Sequence, residues 1–83
     1  MYVYIVVENG EAYPVAYTTY EKAKAAVIAK YRKTLEWQWQ EAQENGFDSV
    51  SDVDVKENKE SNETYLYIEK GINILIKKIP VAN

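Results

Sequence analysis

Hydrophobic positions at the start of the chain follow the pattern of two paired strands. Tyr2–Glu8 is β-branched and aromatic almost throughout, which predicts a strand that is apolar on both faces and lies inside a sheet. We expect its tyrosines on the partly solvated face. Asn9 and Gly10 can both adopt positive φ and are typical of a type I′ hairpin turn. They predict a return strand, Glu11–Tyr17, in which a proline favours a sheet edge or a bulge.

The next segment has the spacing of a long amphipathic helix. Thr18 and Glu21 match a capping box, with Thr18 as the N-cap, and no glycine or proline interrupts the chain before Asn45-Gly46. A helix over Glu21–Glu44, extended by its first turn, would be roughly 39 Å long. A compact domain of this size spans about 30 Å, so we expect the helix to overhang the sheet or to bend. Its apolar stripe comprises Ala23, Val27, Ile28, Tyr31, Leu35, Trp39 and Ala42.

Three further strands are predicted in the second half of the chain. The first is a short strand, Asp52–Glu57, with Val53 and Val55 on one face. Thr64–Glu69 and Ile72–Pro80 follow, separated by a turn at Lys70-Gly71. We therefore predict an α+β fold in the order β-β-α-β-β-β, a mostly antiparallel sheet with one long helix packed on one face. The whole chain, 1–83, is expected to form a single domain.

Composition argues against catalysis. The 83 residues include no cysteine and no histidine, which excludes thiolate chemistry, disulfides and the commonest general base. No phosphate-binding or nucleotide-binding motif is present. Asp52 and Asp54 have a D-x-D spacing that could bind magnesium, but strand alternation with Val53 and Val55 explains it equally well. We expect a non-enzymatic protein with no cofactor and no metal site.

Charge is distributed unevenly along the chain. The net charge is −3, yet residues 21–33 hold five basic side chains against one acid, and residues 34–63 hold nine acids against two lysines. A surface dense in carboxylates can occupy a basic nucleic-acid channel on another protein, and it can equally be an ordinary solvated surface. The basic residues are Lys22, Lys24, Lys30, Arg32 and Lys33. The acids are Glu36, Glu41, Glu44, Asp48, Asp52, Asp54, Glu57, Glu60 and Glu63.

Two tryptophans stand two residues apart on the predicted helix. Trp37 and Trp39 point about 160° apart, so both cannot face one core. Trp39 continues the apolar stripe and is assigned to the core. Trp37 is left on the other side, either along the rim of the domain or in contact with a partner or a second copy of the chain.

The first two-fifths of the chain resembles a family of small proteins from bacteriophage and mobile-element genomes. The resemblance rests on a first strand with Val3-Tyr4-Ile5-Val6 and on a helix start with Tyr17-Thr18-Thr19-Tyr20-Glu21-Lys22-Ala23. It implies a phage-type accessory protein. Proteins of this kind include inhibitors of host defence, among them anti-CRISPR proteins.

The leading hypothesis is a binding protein that inhibits a host macromolecule, such as a CRISPR effector or another nucleic-acid-handling enzyme, through its acidic surface. The alternatives are a nucleic-acid-binding or regulatory domain that uses the basic helix face, and a structural homodimer. We do not expect direct nucleic-acid binding, nor a membrane location, since no apolar run approaches the roughly 20 residues that span a bilayer. With no leader pattern at Met1, cytoplasm is expected. The candidate partner-binding residues are Trp37, Glu44, Asp48, Asp52, Asp54 and Glu57.

Overall fold

The computed structural model describes residues 1–44 and 53–82, and of Gln43 and Asp54 it describes the backbone alone. The fold is α+β, with two consecutive helices inserted between two groups of strands. Asn45-Gly46, the predicted end of the helix, lies outside the described residues. The elements are β1 (Tyr2–Glu8), β2 (Glu11–Tyr17), α1 (Tyr20–Lys30), α2 (Arg32–Glu44), β3 (Asp54–Asn58), β4 (Glu63–Glu69) and β5 (Ile72–Pro80).

The strands form one antiparallel sheet in the order β2-β1-β5-β4-β3. The β1–β2 turn has positive φ at both Asn9 (49°) and Gly10 (87°), as the hairpin pattern predicts. β1 lies inside the sheet and β2 at an edge, and the β1–β2 register shifts between Ile5 and Val7. The sheet therefore has two edges of different character, a bulged one at β2 and a regular one at β3.

The prediction of one long helix is wrong, because the helix breaks at Tyr31. That residue has φ −105° and ψ 21°, outside helical geometry, while its N–H still donates to the carbonyl of Val27. The N–H of Leu35 in turn donates to the carbonyl of Tyr31. The chain thus passes from α1 into α2 through a single non-helical residue. The sequence has no proline or glycine at this point. A tertiary contact of the Tyr31 hydroxyl, described below, accompanies the break.

The predicted N-cap is wrong by one residue. Thr19, in an extended conformation, caps α1, and its hydroxyl accepts a hydrogen bond from the N–H of Lys22 at 3.2 Å. The hydroxyl of Thr18 instead accepts a bond from the side-chain ammonium of Lys22. Two adjacent threonines each satisfy the chemistry of a cap, and the backbone decides between them.

The core lies between the helices and one face of the sheet. Its buried members come from α1, α2, three strands and Val53, which directly precedes β3, and the partly buried aromatic residues surround them. The expectation that the β1 tyrosines lie on the partly solvated face of the sheet is wrong for Tyr4, which shares the helix-covered face with the buried Val6 and packs against the core. The buried residues are Val6, Ala23, Val27, Leu35, Val53, Leu66, Ile68, Ile74 and Ile76.

The molecule is elongated, measuring 51 × 24 × 20 Å. Its radius of gyration of 14.0 Å exceeds the value of about 12 Å expected for a compact domain of this length. α1 lies over β1, β2 and β5, whereas α2 meets the sheet near Ile68 on β4. Within the described residues, neither helix has the length and apolar character needed to cross a membrane.

Candidate functional site

The solvent-facing side of α2 forms the first candidate surface. Trp37 is 66% exposed, and Glu41 and Glu44 follow it at helical spacings of four and seven residues. These spacings place both acids within about 40° of Trp37 around the helix axis. Lys33 lies one turn before Trp37 on the same side and is also exposed. We call Lys33, Trp37, Glu41 and Glu44 the α2 outer face.

Acidic residues at the end of α2 oppose the helix dipole. Glu41 and Glu44 stand in its last turn, and that turn contains no lysine or arginine. A carboxylate close to the C-terminal end of a helix is unfavourable by about 0.3–1 kcal/mol, since the unpaired carbonyls there carry partial negative charge. The two carboxylates therefore destabilise the end of α2 when no positive charge lies beside them.

The opposite side of α2 is held against the sheet by three side chains. Leu35 is 1% exposed, and Trp39 packs against the core as predicted. Between them, the side-chain amide of Gln38 donates a 3.0 Å hydrogen bond to the carbonyl of Ile68 on β4. These contacts fix the rotation of the helix, so that Trp37 points away from the sheet.

A groove beside β3 forms the second candidate surface. It has a volume of about 370 Å³ and lies on the helix side of the sheet, between the start of α1 and β3. The sequence pattern predicts Val53 and Val55 on one face of this strand. Val53 is buried, but Val55 is 46% exposed. The residues that line the groove include Tyr4, Tyr20, Val55, Glu57, Ile76 and Lys78.

The predicted partner-binding residues do not form one surface. Trp37 and Glu44 share the α2 outer face, whereas Glu57 lines the groove. Glu57 pairs with Thr64 on β4. Thr64 is four residues along β4 from Ile68, where α2 contacts the sheet, so Glu57 lies about 13 Å from that contact along the strand direction. Asp54, of which the backbone alone is described, pairs with Tyr67. Asp48 and Asp52 lie outside the described residues.

The basic residues of the helices do not form one face. Lys22 and Lys24 are about 160° apart around α1. The ammonium of Lys30 binds Glu8, and the guanidinium of Arg32 binds Glu36 at 2.9 Å. Lys22 contacts the hydroxyl of Thr18. This arrangement differs from the concentrated basic patch that a nucleic-acid-binding surface usually has.

A polar cluster that sequence analysis missed joins the β1–β2 hairpin to the helix break. The carboxylate of Glu8 accepts hydrogen bonds from the hydroxyls of Tyr13, at 2.8 Å, and Tyr31, and from the ammonium of Lys30 at 3.0 Å. Lys30 also lies 5.2 Å from the ring centre of Tyr13. Glu8 and Tyr13 belong to the hairpin, Lys30 lies 22 positions after Glu8 and directly precedes Tyr31, and no sequence motif links the two pairs. We call them the Glu8 cluster.

Ionisation in the Glu8 cluster follows from these contacts. The hydrogen bond from Tyr31, with those of Lys30 and Tyr13, lowers the pKa of Glu8. Burial, and next the bond to Glu8, raises the pKa of Tyr31 to about 12 and that of Tyr13 further. Both tyrosines are therefore hydrogen-bond donors at neutral pH rather than nucleophiles. Among the described residues, no group of three or more potential metal ligands comes together.

Comparison of the chain with protein-family models, with curated proteins and with solved structures gave no match in any of the three. The chemistry of the two exposed surfaces is therefore the basis for a functional conclusion. Of the two, the α2 outer face combines a solvent-exposed tryptophan with carboxylates that form no ion pair with a basic residue in the described part of the chain.

Proposed function

We propose that this chain is a non-catalytic protein-binding domain that docks on a basic protein surface through the α2 outer face. The observation that carries the proposal is the exposure of Trp37, 66%, on a helix whose other tryptophan already packs against the core. Tryptophan is enriched among the residues that dominate binding energy at interfaces. Its large ring gains most when a partner covers it.

The charge of the α2 outer face supports a basic partner. Glu41 and Glu44 oppose the helix dipole in the free protein, so a lysine or arginine brought against them would relieve that repulsion and form ion pairs. The basic channels of nucleic-acid-handling enzymes offer such a surface. Inhibition of a host enzyme of this class, such as a CRISPR effector, is the proposed role, and it agrees with the resemblance to phage accessory proteins.

The test compares two variants that change the proposed surface with two that change other exposed positions. Trp37→Ala removes the aromatic contact, and Glu41→Gln with Glu44→Gln removes the charges. Tyr67→Ala removes an aromatic residue that is 58% exposed on β4, and Glu11→Gln with Glu60→Gln removes two exposed charges elsewhere. All are used as immobilised baits in parallel against host extract, and any protein retained is purified for titration calorimetry at several salt concentrations.

We expect one protein that the wild type and both control variants retain and that both α2 variants lose. In calorimetry, Trp37→Ala should bind this protein with a Kd at least tenfold higher than that of the wild type. We expect the Glu41/Glu44 variant to bind with a smaller salt dependence and to unfold at a slightly higher temperature, because it removes unfavourable helix-end charges. If this variant is more stable than the wild type and yet binds more weakly, misfolding cannot explain its loss of affinity. If every retained protein binds all variants equally, the α2 outer face is not the binding surface.

Two further measurements address the remaining alternatives. A variant with Asp52, Asp54 and Glu57 all changed to neutral amides tests whether the β3 region shares the interface, which predicts weaker binding and a weaker salt dependence. An electrophoretic shift assay at low salt, with DNA and RNA, tests direct nucleic-acid binding by the basic residues. Retardation that is lost on changing Lys22, Lys24 and Lys33 would favour that alternative over a protein partner.

A further inference from the structure

β3 is an edge strand that is short and charged but regularly paired. Residues 1–44 and 53–82 contain no strand beyond it, and its pairing with β4 runs without a shift from Asp54 to Asn58. The other edge, β2, contains Pro14 and a bulge, both of which discourage the addition of a strand. β3 has neither a proline nor a bulge. Its outward backbone groups are therefore suited to an extended backbone.

We propose that β3 pairs, antiparallel and centred on Val55, with β3 of a second copy of this chain. The two five-stranded sheets then join into one ten-stranded sheet with all helices on the same side. This contact is separate from the α2 outer face and does not depend on the function proposed above.

The charge pattern of β3 selects the register. In a two-fold antiparallel pair, each residue lies opposite one on the same face, so the axis passes through a pair of identical residues. An axis at Lys56 or at Glu57 would set like charges opposite each other, which is destabilising. An axis at Val55 instead places position 54, an aspartate, opposite Lys56 of the second copy, and the same pair occurs again on the other side of the axis.

The exposure of Val55 supports the same register. Within the described residues, neither helix makes extensive contact with β3, and Val55 remains 46% exposed at the edge of the groove. In the proposed pair it lies opposite Val55 of the second copy, and β-branched residues placed opposite each other stabilise antiparallel pairing. Lys56, the single lysine of β3, would disfavour pairing with an unrelated strand, but in this register it lies opposite an aspartate. Because the paired part of β3 is short, the contact is small, and we expect a dimer that forms with increasing concentration.

Charge reversal tests both the surface and the register. Asp54→Lys alone sets two lysines opposite each other at each end of the pair, and Lys56→Asp alone sets two aspartates there. Neither position faces a charged residue on β4, where the partners are Tyr67 and Tyr65, so each variant should fold. Circular dichroism confirms folding, and sedimentation velocity from about 10 μM to about 1 mM covers the range in which weak pairs associate.

We expect the wild type to approach twice the mass of one chain at the upper concentrations and each single variant to stay monomeric. An equimolar mixture of Asp54→Lys and Lys56→Asp should recover the dimer, since every pair is then of opposite charge. Trp37→Ala should dimerise like the wild type. A monomeric wild type, a mixture that fails to dimerise, or a dimer that Trp37→Ala abolishes would each overturn the proposal.

Discussion

The side-chain ammonium of Lys30 lies 3.0 Å from both carboxylate oxygens of Glu8, and this ion pair joins the end of α1 to the end of β1. The two residues are 22 positions apart, so their contact depends on the tertiary fold. The hydroxyls of Tyr13 and Tyr31 donate to the same carboxylate. Glu8 thus connects the first hairpin with the point where the helix breaks.

Replacing Glu8 with Gln should lower the free energy of unfolding by about 1–2 kcal/mol, because three donors lose a charged acceptor at a site that is only partly solvent-exposed. Urea unfolding at pH 7, followed by circular dichroism, measures the difference. Glu60→Gln, an exposed turn position, is the matched control and should change stability little. Equal effects of the two substitutions would contradict a structural role for the Glu8 cluster.

The contribution of Glu8 should depend on acid pH. Its pKa in the folded protein lies below the ordinary value of 4.5, so the ionised form stabilises the fold above 4.5 and the benefit is lost as pH falls through the lowered pKa. The stability difference between wild type and Glu8→Gln should therefore shrink below about pH 4.5. Unfolding curves from pH 7 to pH 2 test this. A difference that stays constant over that range would rule out the ionised carboxylate as its cause.

Alkaline pH should act through Tyr31. Its pKa is raised from 10 to about 12 in the folded protein, so its neutral form stabilises the fold below pH 10 and that stability is lost as pH rises toward 12. Tyr31→Phe has no hydroxyl to ionise. We expect its unfolding free energy to fall less steeply than that of the wild type between pH 10 and pH 12. Parallel slopes would show that Tyr31 ionises equally in the folded and unfolded states.

The two threonines before α1 should differ in stability when truncated. Thr19→Ala removes the hydroxyl that accepts the N–H of Lys22 and should cost about 1 kcal/mol. Thr18→Ala removes only an exposed contact with the ammonium of Lys22 and should cost less than about 0.5 kcal/mol. Thermal unfolding of the two variants side by side gives the comparison. The reverse order would restore Thr18 as the N-cap.

Truncating a side chain should cost much more stability on the buried side of α2 than on its exposed side. Leu35→Ala opens a cavity in the core and should destabilise the protein by about 2–5 kcal/mol. Trp37→Ala, at an exposed position, should change stability by less than about 0.5 kcal/mol despite the larger group removed. Chemical denaturation measures both. A large loss with Trp37→Ala would indicate that the ring supports the fold and would weaken its assignment to binding.

Local sequence patterns predicted the antiparallel sheet, the first hairpin and the exposed side of the helix. Asn9-Gly10 sets its turn through backbone geometry alone, and the spacing of Leu35, Trp37 and Trp39 sets which side each occupies. These features depend on neighbours within one or two turns of the chain.

The features that were wrong or missed depend on contacts distant in sequence. The break at Tyr31 accompanies a bond to Glu8, and no local pattern marks it. The position of Tyr4 under the helices depends on where α1 crosses the sheet, and the exposure of Val55 depends on where the helices end. The division of Glu44 and Glu57 between two surfaces follows from the β3–β4 register and from the point where α2 meets β4, which hydrophobic periodicity does not specify.

The elongated shape has a consequence for how much of the molecule meets water. The accessible surface is 6128 Å², whereas a compact monomer of the same mass would expose about 5,100 Å². The excess, about 1,000 Å², is close to the area that one protein contributes to a standard interface, about 800 Å². A partner that covers this excess would return the chain to the surface-to-mass ratio of an ordinary globular protein.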